Sequence, residues 1–77
     1  MNLDEKVIIV TGGSGLIGDK LVSKIKINNG IVINADLNVK TDLKEGTFQC
    51  DITDPKSVDK LITAVYDYYG TIDGLVN

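Results

Sequence analysis

A doubly wound α/β fold with a parallel sheet of spatial order 3-2-1-4 is predicted by three observations. Short β-branched runs alternate with helix-like stretches, four glycines crowd into residues 11–18 directly after the first run, and acidic residues close the second and third runs. Alternation of this kind gives parallel strands joined by right-handed crossovers, with the connections diverging between the first and fourth strands.

The first run, 6–11, holds Val7, Ile8, Ile9 and Val10 without a polar break, as expected of a strand covered on both faces. Thr-Gly-Gly-Ser-Gly-Leu-Ile-Gly follows. Gly13, Gly15 and Gly18 fit Gly-x-Gly-x-x-Gly, and Gly12, Gly15 and Gly18 fit Gly-x-x-Gly-x-x-Gly. Glycine permits a tight turn and leaves no side chain in the way of a phosphate, while the helix start beyond it offers unpartnered N–H groups and a positive dipole end.

A helix is predicted over 16–29, with Ile17, Leu21 and Ile25 spaced four apart, Val22 widening the stripe, and Asn29-Gly30 supplying a left-handed stop. The second strand, 31–36, ends on Asp36, 18 residues beyond Gly18. Strand, glycine turn, helix and distal acid together meet the conditions of a dinucleotide-binding fingerprint. Residues 37–46 are polar and short for a crossover helix, so a loop with at most one helical turn is expected.

The third strand covers 47–50 and leads into Asp51. Asp54-Pro55 then opens the second helix as N-cap and first-turn proline. Val58, Leu61, Ile62, Val65, Tyr66 and Tyr69 mark its apolar face and Gly70 its end, which makes the tyrosines packing residues rather than catalysts. A fourth strand is expected within 72–77. Gly12, Ser14, Gly15, Leu16, Ile17, Gly18, Asp36, Asp51, Ile52 and Asn77 thereby gather at the carboxyl ends of the strands.

Composition narrows the chemistry. The 77 residues allow one small domain, and at this size only about 60% of the unfolded surface is buried. Eight lysines, no arginine and eleven acidic residues give a formal charge of −3, against a nucleic-acid or anionic-membrane surface. The longest aliphatic run is four residues, so no signal peptide or membrane span is read and a cytoplasmic protein is expected. Cys50 is the sole cysteine and histidine is absent, which excludes a disulfide, a Cys/His zinc site and a Ser-His or Cys-His pair within these residues. Cys50 reads as a small buried hydrophobe. A phosphate-binding loop of the Gly-x-x-x-x-Gly-Lys type fails because Asp19 stands where lysine must follow Gly18. A methyltransferase on a similar sheet accounts less well for Asp51 and the fourth strand.

From Lys6 to Asn77 the chain resembles the N-terminal part of the short-chain dehydrogenase/reductase family, which binds NAD or NADP on a Rossmann-type domain. Four signatures carry the resemblance: the 11–18 loop, Asp36, Cys50-Asp51-Ile52, and Ile72-Asp73-Gly74-Leu75-Val76-Asn77. Leu16 departs from the single-domain branch, which has glycine there, and the loop resembles that of the longer-chain epimerases and dehydratases. The fourth strand, the longer match, resembles the single-domain branch.

The resemblance implies that backbone around Ser14, Leu16 and Ile17 meets a pyrophosphate. It further implies that Asp51 accepts from the adenine amino group beside the Ile52 backbone, and that Asn77 is mainly structural. The alternative for Asp51 is a helix-entry or turn carboxylate next to Thr53 and Asp54. Asp36 suits the ribose diol of NAD and repels the 2′-phosphate of NADP, with Lys40 the nearby base that could soften the preference.

The family's catalytic Tyr-x-x-x-Lys is missing: the residues four after Tyr66, Tyr68 and Tyr69 are Gly70, Ile72 and Asp73. No catalytic residue is assigned. The expectation is therefore the N-terminal half of an NAD-dependent oxidoreductase, the rest of its domain missing, inactive alone and homo-oligomeric when whole. Its alternatives are a non-catalytic NAD sensor or an enzyme of the longer-chain branch. An unpaired edge on the fourth strand is expected to make the isolated piece fold poorly or dimerise.

Overall fold

A computed structural model of the chain describes residues 3–13 and 15–77. The elements run β1 (Val7–Thr11), α1 (Leu16–Ile27), β2 (Ile31–Asp36), β3 (Thr47–Gln49), α2 (Pro55–Tyr69) and β4 (Gly74–Val76). All pairings are parallel and the sheet order is β3-β2-β1-β4, as the alternation predicts.

Strand pleating divides the core in two. Val7 and Ile9 of β1 join Ile33, Ala35, Cys50, Leu61 and Val65 on the α2 face. Val10 and Val32 join Ile25 on the α1 face, with Ile8, Leu21 and Val22 packed beside them. The unbroken apolar run of β1 is thus explained by a helix on each side. Cys50 is buried among aliphatic side chains, as read from its position.

The ends of the helices follow their local chemistry. Asp54 accepts a hydrogen bond from the Lys56 amide at 3.1 Å, Pro55 occupies the first turn, and Gly70 stops α2 in the left-handed region at φ 81°. In α1 the left-handed residue is Asn29 at φ 67°, and the helix closes two residues earlier than periodicity suggests. The Asn29 amide donates to Lys26 O at 3.0 Å and that of Gly30 to Ile25 O at 2.9 Å, satisfying two terminal carbonyls. Gly30 is required by space instead, since a Cβ there would lie 2.6 Å from Ile25 Cγ2.

Two other expectations are corrected. Ile17 is 83% exposed and does not join the buried stripe. The first turn of α1 stands past the end of β1 and rests through Gly18 on the glycine loop, so no sheet lies beneath Ile17. Tyr66 is 57% exposed and Ile62 36%, both outside the core that Leu61 and Val65 enter, and Ile62 instead lines a recess with Leu75 of β4 at the sheet's margin. The 37–46 stretch is a loop, as expected, with turns and an antiparallel bridge between Asp42 and Thr47.

Side chains pin β4 to β1 at both ends. The Val7 amide donates to Asp73 Oδ2 at 2.8 Å and the Asp73 amide donates to Val7 O at 2.8 Å. At the other end the Thr11 hydroxyl donates to Asn77 Oδ1 at 3.0 Å and lies 3.3 Å from Val76 O.

Candidate dinucleotide site

The glycine loop is shaped by contacts that only hydrogen side chains permit. Gly12 adopts φ 69°, and the Gly15 amide turns back to Gly12 O at 3.1 Å. A Cβ on Gly18 would meet the Gly12 carbonyl oxygen and come within 2.7 Å of Gly13 Cα. On Gly13 it would meet the Asn34 carboxamide, with Asn34 Cγ at 2.7 Å and Val22 Cγ2 at 3.2 Å. Gly18 therefore seats α1 on the loop, and Gly13 lets the loop lie on β2.

Gly15 is the N-cap of α1, and among the described residues no side chain caps this helix start, an arrangement in which first-turn N–H groups suit an anion. Leu16 and Ile17, whose backbone is assigned to the pyrophosphate by resemblance, are 80% and 83% exposed at this helix start. Ser14, assigned with them, lies outside the described residues.

Beside the loop is a cavity of about 210 Å³ lined by Thr11, Gly12, Ala35, Asp36, Asn38 and Ile52, among others. It brings together Gly12 from β1's end, Asp36 from β2's end and Ile52 from β3's exit. The Asn38 amide donates to Asp36 Oδ1 at 2.9 Å. Among the described residues Asp36 Oδ2 accepts no hydrogen bond, which leaves a carboxylate oxygen for a ligand hydroxyl. A second recess of about 240 Å³, sharing Thr11, Cys50 and Ile52, continues past Val58 and Ile62 to Leu75 and Asn77.

Asp51 makes the contacts of a turn carboxylate. Its Oδ1 accepts the Thr53 hydroxyl at 2.6 Å and the Thr53 amide at 3.0 Å, and its own amide donates to Ser57 Oγ at 2.9 Å. The Thr53 hydroxyl, then the Thr53 amide, hold the Asp51 carboxyl below the ordinary aspartate range. A depressed folded-state value stabilises the turn above the unfolded value and is lost as pH falls through the folded one. Thr53→Val is expected to move the Asp51 titration upward in an NMR pH series; an unmoved titration would show that the hydroxyl does not hold it. Asn77 Oδ1 accepts the Thr11 hydroxyl at 3.0 Å.

Sequence reasoning missed Ser57, Asn38, Gln49 and Thr11. Ser57, one turn into α2, was hidden because an N-terminal serine on a helix ordinarily serves the helix itself, whereas here it reaches the strand exit. Thr11 had a legible signal in its place between the apolar run and Gly12.

Residues gathered from the loop and from the ends of β1, β2 and β3 give the fit a dinucleotide requires: side-chain-free backbone at a helix start, and a carboxylate across the crevice from it. The chain is similar to several known proteins. Post-translational flagellin modification protein A of Campylobacter coli is 37% identical over 87 residues, with 97% of this chain and 34% of the relative covered. Coniferyl-alcohol dehydrogenase of a Pseudomonas strain is 32% identical across all of this chain and 29% of its own length. A C-terminal deletion mutant of Thermoplasma acidophilum aldohexose dehydrogenase superposes with a TM-score of 0.88 at 33% identity, covering 97% of this chain and 33% of that one. A short-chain dehydrogenase of Leptospira borgpetersenii, solved with bound NAD+, gives 0.82 at 29% identity, covering 99% of this chain and 32% of that one. The chain thus spans about a third of the length of the relatives it matches. Of the described residues none belongs to a helix long and apolar enough to cross a membrane. The family model for short chain dehydrogenase matches residues 6–77, nearly the whole chain and every element of the crevice, and the protein belongs to that family.

Proposed function

We propose that this chain is the NAD-binding N-terminal portion of a longer dinucleotide-binding domain, in an oxidoreductase that moves a hydride between NAD and an alcohol or carbonyl substrate. The observation that carries the reading is Asp36: its carboxylate lines one cavity with Gly12 and keeps one oxygen available. A ribose diol donates to such an oxygen, and each charge-assisted hydrogen bond is worth about 1.5–3 kcal/mol. A 2′-phosphate at the same place meets like charge. The bound NAD+ of the Leptospira relative supports the cofactor, and the coniferyl-alcohol and aldohexose dehydrogenases support an alcohol carbon as the reacting centre.

When bound, the nicotinamide supplies or accepts the hydride. This chain's own residues hold the other end of the cofactor: the loop and α1 start bind phosphate, and Asp36 orients the adenosine ribose. The recess between Ile52 and Leu75 suits a flat ring such as adenine, whose faces would meet the apolar side chains that line it.

Calorimetry on the full-length protein tests the assignment. NAD is expected to bind more tightly than NADP, and Asp36→Ala to weaken NAD by about tenfold or more, the equivalent of one charged hydrogen bond. Equal affinities for the two cofactors in the unmutated protein would remove the role given to Asp36.

A further inference from the structure

The peptide group joining Leu37 to Asn38 is held from both sides. Its N–H donates to Asp36 Oδ1 at 2.9 Å, and its carbonyl accepts from Gln49 Nε2 at 3.2 Å. A trans peptide is rigid and points its N–H and C=O in opposite directions, so fixing one end aims the other. Gln49 is itself anchored, since its backbone amide donates to Thr41 Oγ1 at 3.0 Å further along the same loop. The next residue, Cys50, donates its amide to Asp36 O at 3.1 Å. The end of β3 therefore grips both the residue that carries the carboxylate and the peptide that orients it.

We infer that Gln49 is a positioning residue for cofactor selection: by fixing the Leu37–Asn38 peptide, it holds the Asp36 carboxylate with Oδ1 engaged and Oδ2 presented to the ribose. Asp36, Leu37 and Asn38 all line the cavity beside Gly12, whereas Gln49 does not, so its influence passes through that peptide. With the carbonyl of Leu37 released, the peptide can rotate, its N–H leaves Asp36, and the carboxylate swings among rotamers of which few face the ribose. The inference rests on the NAD-binding reading above.

The test is a double-mutant cycle in the full-length protein, with NAD and NADP as titrants. Gln49→Met keeps the length and flexibility of the side chain and removes its donor, at an exposed position at the margin of the sheet. It is expected to weaken NAD about fivefold, the loss of one neutral hydrogen bond, and to narrow the NAD-over-NADP ratio. In an Asp36→Ala background the same substitution is expected to change NAD affinity by less than about twofold, because coupled residues are non-additive. Hydrogen exchange of the Asn38 amide provides a second measurement, with faster exchange expected in Gln49→Met.

An equal loss of NAD affinity in both backgrounds overturns the inference, as does an unchanged affinity with unchanged Asn38 exchange. If Asp36→Ala itself leaves NAD binding untouched, the NAD-binding reading fails instead. A silent Gln49→Met beside a disabling Asp36→Ala removes only the role of Gln49.

Discussion

Replacing Gly18 with alanine is expected to destabilise the protein and to weaken NAD binding at least tenfold. Two effects oppose each other. Alanine is a better helix former than glycine by about 1 kcal/mol, but its Cβ would collide with the Gly12 carbonyl and sit 2.7 Å from Gly13 Cα. Both obstacles are backbone, so relief requires moving α1 off the loop, and forced overpacking costs about 1–3 kcal/mol. The collision wins. Displacing the start of α1 also displaces the N–H groups proposed to meet a pyrophosphate. Urea unfolding and calorimetry on the same preparation check both halves; a variant as stable as the parent with undiminished affinity would show that the loop yields freely.

Gly13→Ala is expected to cost a similar amount by a different route, and the cost is expected to be partly recoverable. Here the added Cβ meets the Asn34 side chain rather than backbone. Asn34→Ala alone is expected to destabilise, since it strips a half-buried side chain from beneath the loop. The Gly13→Ala/Asn34→Ala pair is expected to be more stable than the sum of the single changes by about 0.5–3 kcal/mol, the range for residues in contact. Recovery stays incomplete because Val22 Cγ2, at 3.2 Å, also crowds the position. Strict additivity in urea unfolding would mean that the two groups do not share this space.

The contrast between these glycines marks how far the sequence could be read. Spacing alone said that 12–18 is a turn in which side chains are unwelcome, and the order of strands and helices followed from the handedness of crossovers. Asp36 and Gly12 were legibly neighbours because both end strands of one parallel sheet. Which atom excludes each side chain was not legible, since Asn34 meets Gly13 only through the pairing of β1 with β2. Ile17 misled for a related reason: periodicity identifies the face of a helix but is blind to where the sheet beneath it ends.

The 37–46 loop was hardest to read. Its order comes from Gln49, Thr41 and Thr47 side chains reaching main-chain groups seven to twelve residues away, as in the Thr47 hydroxyl donating to Lys40 O at 2.7 Å. Tyr69 of α2 adds a bond from its hydroxyl to Leu43 O, and its burial, then Tyr68 and Asp42, push the phenol above its ordinary range. Such bonds have no period and leave no pattern in composition. Asp51 lay between these extremes, because a threonine two residues on is a local cue for a turn.

The paired fastenings of β4 to β1 have a mechanical consequence. Asp73 grips Val7 where the two strands begin, and Thr11 grips Asn77 where they finish, on either side of a three-residue ladder. A ladder that short could otherwise slide by a residue pair with little loss of main-chain bonding. With a bolt at each end, any slip breaks both side-chain fastenings together, so Asn77 stays level with the glycine loop and the two walls of the crevice keep their relative height.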